Sequence, residues 1–344
     1  MPKANSESDS LKVDFFPPDI RKDIEQVETT LKQITAEQPP LGDALHHILI
    51  QCKGKRLRPL VLVLAGRCQH SITPQVQWNE QNLITAAVSI ELLHTATLIH
   101  DDVIDESTIR RGNPSINALW GDDFAILLAD FSYAQSLKFA LKAKNFEALS
   151  IFTQTAINIA KSEILTRTPF SLVEPVDFTY LTKNYYDIID WRTAGLFAAC
   201  CQIGALLAGG NKGQIHRLST FGLSLGRSFQ IIDDILDFVG NEKEIGKPIG
   251  SDLRNGVLTL PTILALKNVD SGSELWQMVG KSSLHSSQVL EGLKCVKEAG
   301  GIRLAYTEAQ KWIDKAKQML QGLPGSGYRT ALETLADYTI QRLG

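Results

Sequence analysis

Long stretches of apolar residues at helical spacing are the feature that most constrains the fold of this chain. The clearest runs through residues 82–104, which predict a long helix with an apolar interior. Alternating runs of β-branched residues are rare, and the pair Asn255-Gly256 is not flanked by such runs, so few strands are expected. The pattern predicts an all-α, single-domain bundle of long helices.

The helical periodicity and the positions of Gly and Pro give approximate boundaries. Helices are predicted over residues 20–35, 41–51, 60–68 and 82–104, with Pro59 in a first turn. Loops are predicted at residues 111–115, 169–175, 240–256 and 323–327. Residues 1–18 are expected to form a flexible N-terminal arm, and residues 19–344 the domain.

Composition excludes several classes of function. The formal net charge is −3, so there is no general basic field for nucleic acid or for an anionic membrane. Five cysteines without Cys-x-x-Cys spacing indicate reduced thiols and a cytoplasmic protein. Residues 193–210 are apolar enough to suggest a membrane span. Their small side chains and Gln202 instead favour the centre of a helical bundle, and no span is expected.

The first acidic cluster, Asp101-Asp102-x-x-Asp105, ends the long predicted helix. Asp101 and Asp105 are one helical turn apart and point the same way, while Asp102 lies about 100° around the helix. Such like-charged neighbours cost a few tenths of a kcal/mol even when they are exposed. A shared divalent cation would remove that cost, and carboxylate oxygens with room for water suit Mg²⁺.

The second cluster, Asp233-Asp234-x-x-Asp237, has the same spacing and also follows an apolar stretch. Either cluster alone is more simply explained as a solvated acidic helix end. The two together are harder to explain in that way, because solvated faces are not normally preceded by runs such as Gln-Ile-Ile. They predict two metal-binding helix ends.

Three groups of basic residues have a spacing that suits binding of a phosphate beside these acidic clusters. Lys55, Arg56 and Arg58 lie in a short turn, Arg110 and Arg111 follow the first cluster, and Lys247 follows the second. Arginine can form two-pronged hydrogen bonds to phosphate. The alternatives are a solvated basic loop and an ordinary surface lysine.

His94 precedes Asp101 by two helical turns and shares its face to within about 20°. A lone histidine in an apolar helix is usually a core residue with a satisfied ring. The shared face makes contact with a ligand the equal alternative.

Five segments taken together resemble the all-trans polyprenyl diphosphate synthases. They are GKRLRP, ELLHTATLIHDDVIDESTIRRGNPS, the Arg-Thr-Ala at residues 192–194, FQIIDDILD and GKPIGSDLRNGVLTLP. The resemblance covers residues 41–266 most clearly, and the first half is similar to catalytic subunits of heptaprenyl synthases. It implies long helices around a deep central cavity, with the two acidic clusters facing each other across its mouth.

The resemblance assigns roles position by position. The isopentenyl diphosphate site would comprise Lys55, Arg58, His94 and Arg111. Contacts to the allylic diphosphate would come from Arg110, Arg192, Thr193, Gln230 and Lys247. Asp101, Asp105 and Asp233 would hold about three Mg²⁺ ions, with Asp102 and Asp237 helping. Asp101, Asp105, Asp233, Arg110 and Lys247 would form the catalytic set. The implied reaction ionises the allylic diphosphate, and no Ser, Cys or His nucleophile is needed.

Some positions depart from the family pattern. The family's lysine before Thr193 is Arg192, and a second loop lysine is Val257. The usual Gly-Asp is Ala129-Asp130, and the usual Gly-Glu-x-x-Gln is Ser162-Glu163-x-x-Thr166. Ala96 and Thr97 are small where short-product members carry an aromatic residue, which implies a product of about six to nine isoprene units.

Two rival functions remain open at this point. A class I terpene cyclase would share the fold but would have no use for Lys55, Arg58 and Arg111, and its second metal motif is usually of an Asn/Ser/Glu type. A non-catalytic subunit of a heteromeric synthase would typically lack the acids or the arginine pair. The expected enzyme uses farnesyl or geranylgeranyl diphosphate as primer and forms a homodimer, or a heteromer with a small subunit.

Overall fold

The computed structural model describes residues 16–166, 176–240, 249–270, 273–279 and 284–342. The helices of the first half are α1 (Pro18–Ile34), α2 (Leu41–His46), α3 (Leu57–Ile72), α4 (Glu80–Ile104), α5 (Ile116–Trp120), α6 (Asp122–Lys142) and α7 (Phe146–Thr166). The second half has α8 (Phe178–Ile189), α9 (Gly195–Leu207), α10 (Lys212–Val239), α11 (Ser251–Arg254), α12 (Leu260–Leu266), α13 (Glu274–Met278), α14 (Ser286–Glu298), α15 (Gly301–Gln321) and α16 (Gly327–Gln341). The all-α prediction is confirmed.

The predicted helix boundaries hold with local changes. The helix expected over residues 41–51 is α2 followed by a π-helical turn, His47–Gln51. The helix expected over residues 60–68 is longer, because α3 begins at Leu57 and places Pro59 in its first turn. Within the loop predicted over residues 240–256 lies the short helix α11. The loop predicted over residues 169–175 falls outside the described residues.

A two-stranded hairpin replaces part of the loop predicted at residues 111–115. Strand β1 (Ile109–Arg110) pairs antiparallel with β2 (Asn113–Pro114), with Arg110 opposite Asn113. The two turn residues, Arg111 and Gly112, have φ angles of 51° and 75°. Positive φ at both positions matches the right-handed twist of a tight hairpin. This turn directs the side chains of Arg110 and Arg111 to different partners.

The core of the bundle is formed by α3, α4, α9 and α10. Helix α4 packs on α6, α9 lies between α3 and α10, and α10 packs on α15. Gly226 of α10 has no side chain where the chain before α9 crosses it, and a Cβ there would lie 2.5 Å from Ala194 Cα. This close approach places the π-helical turn Asp190–Ala194 directly against α10. The turn contributes two residues to the site described below.

Within the part of the chain that the structure describes, one helix, α4, is long and apolar enough to cross a membrane. Its most apolar window is 78% buried inside the protein, as is typical of a core helix. The segment weighed as a span from the sequence contains α9, whose Cys200, Cys201 and Ile203 are buried against the neighbouring helices. The segment therefore lies in the centre of the helical bundle, as expected from the sequence.

Candidate active site

The basic side of the site is centred on Arg58 and His94, at facing positions of α3 and α4. Arg58 Nη1 donates to His94 Nε2 over 2.9 Å, so the imidazole proton is on Nδ1. Burial, and then the charge of Arg58, lowers the pKa of His94 well below its usual value. His94 is thus a neutral acceptor that orients the guanidinium of Arg58.

The guanidinium of Arg58 has capacity left for another ligand. Its Cζ lies 5.2 Å from the centre of the Phe197 ring. Its Nε is buried and has no hydrogen-bond partner among the described residues. An anion placed beside this nitrogen would supply the missing acceptor.

Lys55, Arg56 and Arg111 are the neighbouring basic residues predicted from the sequence, and they differ in their contacts. Arg56 is buried and forms ion pairs with Glu28 at 2.9 Å and Glu91 at 2.5 Å, so it holds the fold together. Lys55 Nζ donates to Tyr338 Oη over 2.7 Å.

Arg111 Nη1 donates to the carbonyl of Cys52 over 2.9 Å. Its guanidinium lies where a Cβ of Gly54 would be, with Cζ only 2.6 Å from that position. Gly54 therefore allows Arg111 to pack against the turn that carries Lys55.

The first acidic cluster divides its three carboxylates among different surroundings. Asp105 is exposed at the end of α4, and Asp101 is partly exposed. Asp102 is only 1% exposed and turns inward, where both of its oxygens accept from Arg110, at 3.0 Å from Nε. Burial raises the pKa of Asp102 even though Arg110 opposes this change.

This pairing bears on two of the predicted roles. Arg110 was expected to contact the allylic substrate, and Asp102 to help with metal. In the structure Arg110 and Asp102 form a hydrogen-bonded ion pair with each other, and this pair fixes the hairpin to the end of α4. Both roles stay predictions that these contacts do not support.

The π-helical turn Asp190–Ala194 connects the two acidic clusters. Arg192 Nη2 lies 3.2 Å from Asp101 Oδ2, and Arg192 Nε lies 2.8 Å from Glu163 Oε1. The next residue, Thr193, donates from Oγ1 to Gln230 Oε1 over 2.8 Å. Gln230 lies one turn before Asp234 in α10. Arg192 and Thr193 thus span from the first cluster to the second.

The second cluster lies within α10, which continues to Val239. Asp233 pairs with Arg342 Nη2 at 2.7 Å. Asp234 is buried and accepts from Tyr185 Oη at 2.5 Å and from Gln230 Nε2 at 2.9 Å. Burial, followed by the charge of Asp252, raises the pKa of Asp234 well above the usual value.

Asp237 is buried at the last turn of α10 and holds the segment that follows. Its two oxygens accept from Ser251 Oγ at 2.7 Å and from the Asp252 backbone N–H at 3.0 Å. Its backbone carbonyl accepts from Gly250 N. These contacts anchor α11, and the metal role predicted for Asp237 stays a prediction without support from them.

The remaining predicted residues are easily located. Ala96 is 2% exposed and faces the interior of the bundle. Thr97 is partly buried, and its hydroxyl donates to the carbonyl of His94 over 2.8 Å. Lys247 lies outside the described residues.

Sequence reasoning missed two residues at this site, Tyr338 and Arg342. Tyr338 lies in the last turn of α16 and Arg342 directly follows its last residue, so both are far along the chain from every motif considered. Tyr338 and Arg342 are one helical turn apart, so they share a face. No local pattern distinguishes them from ordinary residues of a final helix.

The donor set is chemically suited to a hard divalent cation. Asp101, Asp105 and Asp233 offer oxygen ligands only, and each is at least partly open to solvent. Asp101 and Asp233 are each balanced by an arginine, so a positive charge is already accommodated beside them. Mg²⁺ or Ca²⁺ could take that place with water completing the coordination.

The fold is an all-α bundle, and its candidate site combines basic side chains with two clusters of carboxylates. The chain belongs to the polyprenyl synthetase family, whose sequence profile matches residues 38–296. It is a prenyltransferase of the polyprenyl diphosphate synthase type, as the sequence predicted. Neither the cyclase nor the non-catalytic alternative is favoured.

Three known proteins illustrate the relationship. Component 2 of the heptaprenyl diphosphate synthase of Geobacillus stearothermophilus is 35% identical over 321 residues, 93% of this chain and 96% of that protein. The octaprenyl diphosphate synthase of Haemophilus influenzae is 31% identical over 97% of this chain and 98% of its own length. The polyprenyl synthase of Caulobacter crescentus, solved with calcium and isoprenyl diphosphate, superposes with a TM-score of 0.86 at 31% identity, covering 97% and 99% of the two chains.

Proposed function

We propose that this chain condenses isopentenyl diphosphate with an allylic diphosphate, farnesyl or geranylgeranyl, to make an all-trans polyprenyl diphosphate of medium or long chain. The observation that carries this proposal is the connection made by Arg192 and Thr193. Through them Asp101 of α4 is connected to Gln230 and Asp234 of α10, and α4 also carries His94, which contacts Arg58 of α3. A site with both charges suits the transfer of a group away from diphosphate.

The basic cluster is the proposed site for isopentenyl diphosphate. Arg58 has a buried nitrogen available, His94 fixes its orientation, and Lys55 and Arg111 stand beside it. Arg192, Thr193 and Gln230 lie closer to the acids and are proposed to bind the allylic diphosphate, with Arg110 and Lys247.

In the proposed reaction the allylic C–O bond breaks, and its electron pair leaves with the diphosphate. The double bond of isopentenyl diphosphate forms the new C–C bond with the allylic cation, and the departing diphosphate then takes up the proton whose loss forms the new double bond. Asp101, Asp105 and Asp233 are the proposed ligands for about three Mg²⁺ ions, which would neutralise the charge on the leaving diphosphate.

The small side chains of Ala96 and Thr97 support a deep cavity and hence a long product. Ala96→Phe is expected to shorten the product by about two isoprene units or more, because a phenyl ring would close the space below Asp101. Product length on reversed-phase chromatography checks this, with Ala36→Phe, at an exposed position between α1 and α2, as the matched control. An unchanged product from Ala96→Phe would show that the cavity does not pass this residue.

We also propose that the enzyme is a cytoplasmic homodimer. Exposed apolar side chains lie on α6 and α7, namely Ile126, Leu127, Leu141, Ile157 and Ile164. Exposed apolar surface of this kind is typical of protein contacts. A small unlike subunit is the alternative, since the Geobacillus relative is named as one component of its synthase.

The central experiment incubates the purified chain alone with isopentenyl diphosphate, farnesyl diphosphate and Mg²⁺, and sizes the products. A polyprenyl product from the single protein supports a homomeric synthase. Product only after addition of a second protein would establish a heteromer. No product with any candidate partner would contradict the proposed reaction.

A further inference from the structure

The last turns of α16 contact both the basic and the acidic side of the site. Lys55 Nζ donates to Tyr338 Oη over 2.7 Å, and Arg342 Nη2 donates to Asp233 Oδ1 over 2.7 Å. Tyr338 and Arg342 are four residues apart in one helical segment, so their side chains lie on the same face. The end of the chain therefore lies against a predicted substrate lysine and a predicted metal ligand.

Arg342 is held in place by more than its ion pair. Its side chain is 20% exposed, and its Cζ lies 4.5 Å from the centre of the Phe229 ring. Its Nη1 is buried and has no hydrogen-bond partner among the described residues. A guanidinium stacked on an aromatic ring loses little freedom when it also binds a carboxylate.

The other arginine beside a predicted metal ligand is placed differently. Arg192 contacts Asp101, but it also contacts Glu163 at the shorter distance of 2.8 Å. If Asp101 bound a cation, Arg192 would retain a carboxylate partner. Asp233 is the one described carboxylate within ion-pair distance of Arg342.

A carboxylate oxygen cannot accept from a guanidinium and coordinate Mg²⁺ with the same lone pairs. We propose that Arg342 is the internal counter-ion of Asp233 and that a divalent cation must displace it to coordinate Oδ1, the oxygen that Arg342 contacts. Arg342 is then a positioning residue, which compensates and directs Asp233 until metal arrives. This inference rests on the proposed role of Asp233 as a metal ligand.

The test measures Mn²⁺ binding to the substrate-free protein by electron paramagnetic resonance. Arg342→Ala should bind Mn²⁺ about threefold to fivefold more tightly, which is the range for a partly exposed ion pair that no longer competes. Arg342→Lys keeps the charge and should bind close to the original affinity. Arg303→Ala, an exposed arginine on α15, removes the same charge elsewhere and should leave affinity unchanged.

Asp233→Asn separates the two levels of the proposal. If Asp233 binds metal, Asp233→Asn should weaken Mn²⁺ binding, and adding Arg342→Ala to it should have no further effect. If Asp233→Asn leaves Mn²⁺ affinity unchanged, the metal role of Asp233 is wrong, whatever Arg342 does. If Asp233→Asn weakens binding but Arg342→Ala has equal or weaker affinity than the original protein, the counter-ion role is overturned. Absence of any Mn²⁺ binding would also overturn it.

Discussion

The acidic cluster at the end of α4 and the cluster inside α10 share the pattern Asp-Asp-x-x-Asp, but different partners hold them. In α4 the first two aspartates pair with arginines, Arg192 and Arg110. In α10 the first aspartate pairs with Arg342, whereas the second accepts from the neutral groups of Tyr185 and Gln230.

This difference reflects where each cluster lies in its helix. The first cluster ends α4, so the hairpin that follows can fold back and bring Arg110 to Asp102. The second cluster lies inside α10, which continues for two residues beyond Asp237, and Asp234 faces the helix α8 that supplies Tyr185. Identical motifs therefore differ in the charge of their partners, while burial raises the pKa of both Asp102 and Asp234.

The largest expected effect comes from the leading aspartates, where the two clusters should behave alike. Asp101→Asn and Asp233→Asn are each expected to lower kcat by about 100-fold to 1000-fold, because each removes a proposed anionic ligand for the cation that would stabilise the leaving group. The measurement is kcat for a single condensation at saturating Mg²⁺. Asp130→Asn, whose side chain is 66% exposed, is the control. If one of these two variants keeps a kcat within tenfold of the original protein, the cluster that it alters does not hold the essential metal.

The second aspartates should distinguish the clusters through stability. Arg110→Ala leaves Asp102 as a buried carboxylate without its charged partner, which is expected to cost about 3 kcal/mol of unfolding free energy at pH 7. Tyr185→Phe removes one neutral donor from Asp234, which keeps Gln230, and about 1–2 kcal/mol is expected. Urea denaturation at pH 7 checks both values.

Two exposed residues provide matched controls for that comparison. Arg303→Ala removes an arginine from the surface of α15, and Tyr180→Phe removes a hydroxyl from the exposed side of α8. Each should change the unfolding free energy by less than about 0.5 kcal/mol. Equal losses for Arg110→Ala and Tyr185→Phe would mean that charge compensation does not separate the two clusters.

Much of the fold could be predicted because the apolar spacing is strong in the long helices. The predicted ends of the helix over residues 82–104 agree with α4 to within two residues at its start. The start of α3 was misplaced because a left-handed residue, Arg56 with φ 51°, sets the turn, and the charged residues 55, 56 and 58 favour a loop at this point of the sequence. The hairpin at Arg111-Gly112 was read as a loop because its strands are only two residues long.

The site was less predictable than the fold, because contacts distant in sequence decide which charged groups pair with one another. The basic turn alone did not separate Arg56 from Arg58, whereas the family resemblance gave a role only to Arg58, which fits the buried ion pairs of Arg56 with Glu28 and Glu91. It could not show that Asp102 turns toward Arg110, since both were expected to face ligands. Arg342 could not be found at all, because its partner Asp233 is more than 100 residues away in the chain.

The smallest expected effect is a dependence of stability on pH, and it concerns α4 rather than α10. The histidine of α10, His216, lies more than four helical turns before Asp233, whereas His94 lies two turns before Asp101. Burial lowers the pKa of His94 well below 6.5, so below pH 6.5 the unfolded chain takes up a proton that folded His94 does not. Stability therefore falls as the pH falls, by about 1 kcal/mol between pH 6.5 and 5.5 from this residue. His94→Gln, which can still accept from Arg58, should remove that portion of the decrease in urea denaturation series at the two pH values. His46→Gln, on the exposed end of α2, should leave it in place. If the decrease is the same in His94→Gln as in the original protein, His94 is not the neutral acceptor that orients Arg58.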